Sequence, residues 1–284
     1  MHSDTKAGQV AEQVETGIPR PLSSPGVGIH SNESGITIGP MRVAGVQAMK
    51  TATIGKIDIR RSHERGPADH GWLQSRHTFS FAAYYDPDHM GVSALRVIND
   101  DRVSPGCGFA THSHQDMEII SYVKKGSIEH KDSMGHVETL PAGEFQLMSA
   151  GTGVTHSEYN PSTTEPLEFL QIWIEPNAYG IEPGYQQKRF EARAGLQLIA
   201  SPDARGGSLL IHQDACLYQL RLNAGQSVSH LLETGRTVYV HVISGAIRLN
   251  GNDLCEGDGA TVKAEDSVEF AGHQNSEALV FDLP

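Results

Sequence analysis

Thr111-His112-Ser113-His114 and Thr155-His156-Ser157-Glu158 each set two metal-capable side chains at i and i+2. If both stretches are β-strands, each pair projects from one face, since alternate side chains share a face and stand roughly 6.5 Å apart. Two adjacent strands of this kind would offer three imidazoles and one carboxylate. Such groups can converge on one ion at about 2.0–2.2 Å.

The surrounding sequence supports strands. Short β-type runs punctuated by glycine dominate, with candidate strands at 54–59, 77–81, 95–99, 117–123, 127–130, 145–148 and 167–174. In the last of these Leu170, Ile172 and Ile174 form one fully apolar face, while Phe169, Gln171 and Trp173 take the other. That pattern suits a strand lining a sandwich or barrel. Gly106, Gly126, Gly143, Gly151 and Gly153 mark tight turns. No long amphipathic helix stands out, so the fold class is all-β.

The final third repeats the theme. Val123-Lys124-Lys125-Gly126-Ser127-Ile128 is similar to Val242-Ile243-Ser244-Gly245-Ala246-Ile247, and Leu140-Pro141-Ala142-Gly143-Glu144 has its counterpart in Leu254-Cys255-Glu256-Gly257-Asp258. Two β-barrels in tandem would produce this order. Projecting the first-half spacing forward sets Leu231 at the place of His112 and Phe270 at that of His156. The second barrel is therefore expected to hold no metal and to support the first.

Composition bounds the function. The 284 residues are 38% hydrophobic and 20% charged, ordinary for a globular chain. A formal net charge of −12 disfavours direct binding to nucleic acid or to an anionic membrane, because no basic excess exists to neutralise phosphates. No apolar run of about 18 residues and no signal-peptide pattern is present, so a cytoplasmic location is expected. Cys107, Cys216 and Cys255 are too few and too scattered for a disulfide framework or a thiolate site. Residues 1–48, rich in Gly, Ser, Pro, Thr and Glu, read as a disordered or loosely attached extension. The barrels are then expected at 49–185, with the metal, and at 186–284, without one.

Specific motifs carry a family resemblance. Gly106 followed by His112, His114 and Glu118, and Gly153 followed by His156 and Asn160, resemble the two cupin motifs. The stretches His77-Thr78-Phe79-Ser80-Phe81, Glu129-His130-Lys131-Asp132-Ser133-Met134-Gly135 and the run from Gly143 to Gly153 resemble the pirin family of bicupins, whose bacterial members include flavonol-cleaving enzymes. This resemblance spans residues from about 49 to 284. It implies two tandem cupin barrels of the double-stranded β-helix or jelly-roll type, with few short helices. It also implies one metal in the N-terminal barrel, held by His112, His114, His156 and Glu158. The wider cupin pattern would choose Glu118 as the carboxylate ligand. In pirin-like proteins the position of Glu158 serves instead, which leaves Glu118 as a wall or catalytic residue.

The donor set suits Fe(II), Mn(II), Co(II), Ni(II), Cu(II) or Zn(II) and poorly matches Ca or Mg, which prefer all-oxygen cages. Fe(II) is the first choice, with two coordination positions left for substrate and dioxygen. The resemblance implies a quercetin 2,3-dioxygenase-like activity. A flavonol is deprotonated by Glu158, or less readily by Glu118, and its ring opens with release of CO. Phe109, Phe145, Met148 and Trp173 are candidate pocket walls, and Asn160 reads as a turn former. His63, His70, His89 and His136 are assigned to surface or packing roles, and His77 and Asp132 to structural hydrogen bonding. The alternative reading is a non-enzymatic metal-binding redox sensor, similar to a transcription cofactor, acting through protein partners.

Overall fold

A computed structural model describes residues 56–284, so the expected extension at 1–48 lies outside the described residues. The chain begins with strand β1 (Lys56–Arg60). The first sandwich follows as β2 (Gly66–Asp69), β3 (Leu73–His77), β4 (Leu95–Val103), β5 (Gly108–His114), β6 (Glu118–Lys125) and β7 (Ser127–Asp132). It continues through β8 (Val137–Pro141), β9 (Glu144–Ser149), β10 (Val154–Tyr159), β11 (Leu167–Ile174) and β12 (Gly184–Arg189). The second comprises β13 (Gly195–Ser201), β14 (Leu209–Leu210), β15 (Cys216–Leu222), β16 (Ser227–Leu231), β17 (Thr237–Ser244), β18 (Ala246–Leu249), β19 (Asn252–Cys255), β20 (Gly259–Lys263), β21 (Ser267–Gly272) and β22 (Ser276–Leu283). Among the described residues the helical pieces are two single turns, Ser62–Glu64 and Arg205–Gly207. Among the described residues no helix is long and apolar enough to cross a membrane.

Each half pairs a seven-stranded sheet with a four-stranded one. In the first half the large sheet runs β12-β9-β6-β11-β4-β3-β2 and the small one β5-β10-β7-β8. In the second half the large sheet runs β1-β20-β17-β22-β15-β13-β14 and the small one β16-β21-β18-β19. The repeated architecture is that of two tandem cupin barrels, as the repeated hairpins of the sequence led one to expect. The halves also interlock at their ends. β1 pairs with β20 in the second barrel, and β12, which spans the expected division at residue 185, pairs with β9 in the first.

Strand parity explains how the barrels join. On β11 the face of Leu170, Ile172 and Ile174 does not line its own barrel. It packs with Ile120 and Leu147 against Leu217, Tyr239, Leu279 and Phe281 of the second large sheet. The opposite face, Phe169, Gln171 and Trp173, looks into the first barrel, where Phe169 and Trp173 join its inner clusters. Both faces of the strand are thus buried, which is why it reads as nearly continuous hydrophobic sequence. The second barrel is filled by Val242, Ile247, Leu249, Val268, Phe270 and their neighbours.

The strand expected over 77–81 ends at His77. Beyond it the backbone turns, with Phe81 bridging to Tyr84 and Ala82 in the left-handed region at φ 50°. The apolar alternation of Phe79 and Phe81 serves two different cores instead. Phe79 enters the layer between the barrels beside Tyr239, and Phe81 packs edge-on against Trp173.

Gly108 shows how closely the small sheet is assembled. It sits across from Tyr159, and a Cβ there would meet the Glu158 carbonyl oxygen at 2.2 Å. The strand approach leaves room only for hydrogen. Gly108→Ala is expected to lower stability by about 1–3 kcal/mol, the range for forced overpacking, read as a shifted urea midpoint with an unchanged slope.

Candidate metal centre

The small sheet of the first barrel carries every metal-capable pair noted in the sequence. β10 is one of its two inner strands, hydrogen-bonded to β5 on one edge and to β7 on the other. His156 lies opposite His112 across one edge and opposite Asp132 across the other, while Glu158 lies opposite Phe109 and His130. The two i, i+2 pairs therefore do occupy adjacent antiparallel strands.

A β-bulge adjusts their aim. From Glu158 to His156 strand β10 advances two residues, whereas β5 advances three, from Phe109 to His112. The extra residue lets Phe109, His112 and His114 all face inward despite the odd spacing of the first two. The His112 ring is then held by its Nδ1, 2.8 Å from the Ala110 carbonyl oxygen within the bulge.

The His112, His114 and His156 rings converge, with centroid separations of 4.8, 4.5 and 4.9 Å. One nitrogen from each lies within 4.8 Å of the others. The Nε2 atoms of His114 and His156 are buried and have no hydrogen-bond partner in the protein. An unpaired buried polar atom is costly, and two of them beside a third imidazole fit a divalent transition metal of the kind that takes nitrogen donors. Burial, reinforced by the neighbouring His112, lowers the His114 pKa to about 3, and burial among the other rings drives His156 further down. His112 is lowered as well, by burial against the opposing pull of its bond to Ala110. The rings are therefore neutral, the form that ligates.

The carboxylates part company. Glu158 is buried, with Oε1 3.3 Å from the Ser121 hydroxyl and Oε2 3.2 Å from the Gln171 amide nitrogen. Burial pushes it up to about 7 against these hydrogen bonds. It groups with His130 and His156 within 4.8 Å, a second cluster that shares His156 with the first. Glu118 is placed elsewhere. Its Oε2 accepts from the Ser149 hydroxyl at 2.9 Å, and its Oε1 lies 3.4 Å from His212 Nδ1 of the second barrel. Its even spacing from His112 and His114 would give a shared face on an unbroken strand, but Asp116, at φ 49°, turns the chain between β5 and β6 and resets the phase. On β6 it is Ser121, not Glu118, that reaches the site.

A cavity of about 90 Å³ opens beside His112 and His114. Trp72, Phe81, Phe109 and Trp173 form its aromatic walls, and His77, Asn99, Asp101 and Gln171 supply polar groups. Two expected wall residues lie elsewhere. Phe145 joins the layer between the barrels, and Met148 packs in the interior cluster with Ile119 and Val154. His77, held by Nδ1 donating to Asn99 Oδ1 at 2.8 Å, and His70 both line the cavity. Asn160 ties its turn by donating to the carbonyls of Val103, Ser104 and Glu165. Sequence reading missed Asp101 and His130. Asp101 is one charged residue among several on β4, and His130 sits in a strand with no partner histidine at i+2.

Comparison with known proteins places these features in a family. Residues 58–174 match the family described as Pirin, and residues 198–283 match the family described as Quercetinase C-terminal cupin domain. The chain is 53% identical over 228 residues to the quercetin 2,3-dioxygenase of Escherichia coli strain K12, covering 80% of this chain and 99% of that protein. It is 46% identical over 233 residues to a putative quercetin 2,3-dioxygenase of Pasteurella multocida, covering 80% and 99%. The bacterial pirin YhhW of Escherichia coli, solved in complex with nickel(II), aligns with TM-score 0.79 at 52% identity over 81% of this chain and 99% of that one.

Asp101 is buried, and its Oδ1 has no partner. Burial first, then the charges of Asp100 and Glu158, pushes its carboxyl up to about 7. The folded protein keeps this proton while the unfolded chain releases it from about pH 4 upward, so the penalty grows between about pH 4 and 7 and then levels. Asp101→Asn should therefore gain stability relative to the parent over that window. A gain on the order of 2–4 kcal/mol, followed by urea unfolding across pH, is the expected result.

Proposed function

Because the chain belongs to the pirin family, we propose that it is a metal-dependent dioxygenase of the quercetin 2,3-dioxygenase type, with its reaction centre in the N-terminal barrel. The observation that carries this reading is the convergence of three neutral imidazoles, two with unpartnered buried nitrogens, at the edge of an aromatic cavity. His112, His114 and His156 would hold one divalent transition metal, with Glu158 completing the set from the next inward position of the same strand. Fe(II) is the proposed ion, and nickel(II) is the ion named for the Escherichia coli relative. When bound, the metal supplies Lewis acidity and open coordination positions.

The chain's own groups prepare the substrate. Glu158 can take the proton of an enolic hydroxyl, and Ser121 and Gln171 donate to its oxygens and hold them for that role. The walls exclude water. Asp101 Oδ1 and Trp173 Nε1, both buried without partners, offer an acceptor and a donor to phenolic hydroxyls. A flat, hydroxylated, aromatic compound such as a flavonol satisfies both, and its oxidative ring opening releases CO. The cavity of about 90 Å³ is smaller than the roughly 300 Å³ needed to enclose a whole ligand. The enolic edge of the substrate would enter and the remaining ring would lie at the mouth.

Glu118, engaged by Ser149 and His212, is not assigned the proton transfer in this reading. The reading as a redox sensor without enzymatic activity is not favoured, because relatives similar over nearly their full length carry the dioxygenase name. Protein loaded with Fe(II) and given quercetin and O2 is expected to bleach the flavonol absorbance and release CO, with His112→Ala reduced to the metal-free background. Equal turnover by the two proteins would overturn the assignment. In the same assay Glu118→Gln is expected to retain turnover within a few-fold, measured as kcat/KM.

A further inference from the structure

Beyond the converging rings lies a chain of side chains that dictates which nitrogen His156 presents. Asp132 sits at the end of β7 with its carboxylate fully occupied. Its Oδ1 accepts the backbone N–H of Met134 at 2.9 Å and of His136 at 3.0 Å. Its Oδ2 lies 3.1 Å from His130 Nε2 and 2.9 Å from His136 Nδ1. A carboxylate oxygen only accepts, so His130 Nε2 must carry a hydrogen, and in the neutral ring His130 Nδ1 becomes an acceptor. That Nδ1 is 3.5 Å from His156 Nδ1. His130 is 0% and His156 1% exposed, so no bulk water competes for either atom. The donor in this contact must therefore be His156 Nδ1, which leaves the lone pair on His156 Nε2. That atom is the buried, unpartnered nitrogen of a ring that converges with His112 and His114.

We propose that His130, oriented by Asp132, is a positioning residue that locks His156 in its Nδ1–H tautomer and so aims its Nε2 at the metal. The inference rests on His112, His114 and His156 being the cradle. His112 has an equivalent lock in the Ala110 carbonyl, supplied by its own strand. His156 has no such carbonyl among its contacts, and a side chain from the neighbouring strand provides the acceptor instead. Tyr185 covers the arrangement, its ring 4.8 Å from both His130 and His136. Hydrogen-bonded partners of this kind typically change metal affinity by about 10–100-fold.

Nitrogen-15 spectra of the metal-free full chain, labelled at histidine, read the tautomers directly. The proposal requires hydrogen on His156 Nδ1 and on His130 Nε2, and a His156 ring protonated at Nε2 overturns it. Nickel(II) competition against a chelator supplies the second readout. His130→Leu is expected to weaken nickel(II) about 10–100-fold, while His130→Gln, whose amide can donate to Asp132 and accept from His156, recovers most of the loss. X-ray absorption of the nickel(II) form should count the same imidazoles in parent and His130→Gln. Loss of one imidazole would make His130 a ligand and overturn the positioning role, as would unchanged affinity in His130→Leu. Failure of His112→Ala to weaken nickel(II) would instead remove the cradle itself.

Discussion

Hydrogen bonding along both edges of β10 is the constraint from which the site follows. An inner strand has its register set twice, once by each neighbour, and a slip of one residue would turn every inward side chain outward. With β5 on one side and β7 on the other, His156 is bound to face the level of His112 and Asp132. Glu158, two residues on, is bound to the level of His130. The convergence of the histidine rings and the place of His130 beside His156 are thus consequences of one pair of ladders. The bulge in β5 is the single departure, and it adds Phe109 to the inward face without displacing the histidines.

Such a site needs a rigid wall opposite. The large sheet provides it with β11 and β4, whose inward residues mix apolar bulk with a few polar groups. Its outer face is not solvent but the second barrel, so the sheet is clamped between two layers of side chains. Burial at this depth has electrostatic consequences of opposite sign. It lowers the pKa values of the imidazoles and raises those of the Glu158 and Asp101 carboxyls. Both effects reduce net charge in the metal-free interior, and both leave groups ready to change state when a cation or an acidic hydroxyl arrives. The second barrel contributes apolar bulk, an interlocking first strand, and the His212 contact that engages Glu118.

Much of this was legible in the residues. The donor types and their i, i+2 spacing pointed to the strands and to the three histidines that converge, and the repeated hairpin pattern pointed to two barrels. Less legible were features that depend on phase across a turn. Glu118 shares parity with His112 and His114 only if the strand runs on unbroken, and the turn at Asp116 breaks it. Phe79 and Phe81 alternate as a strand would, yet they fill two separate cores after the chain bends.

The sequence by itself determined the chemistry available: imidazoles and carboxyls without thiolate neighbours, on short strands, in a chain too acidic to favour phosphate. Period-two alternation is a local property, and local properties survive in any linear reading. The tertiary structure alone decided which strands became neighbours, which face of β11 met the other barrel, and that β7 brought His130 beside His156. Those outcomes depend on pairings between residues distant along the chain and on turns that reset strand phase, and neither leaves a periodic mark in the sequence.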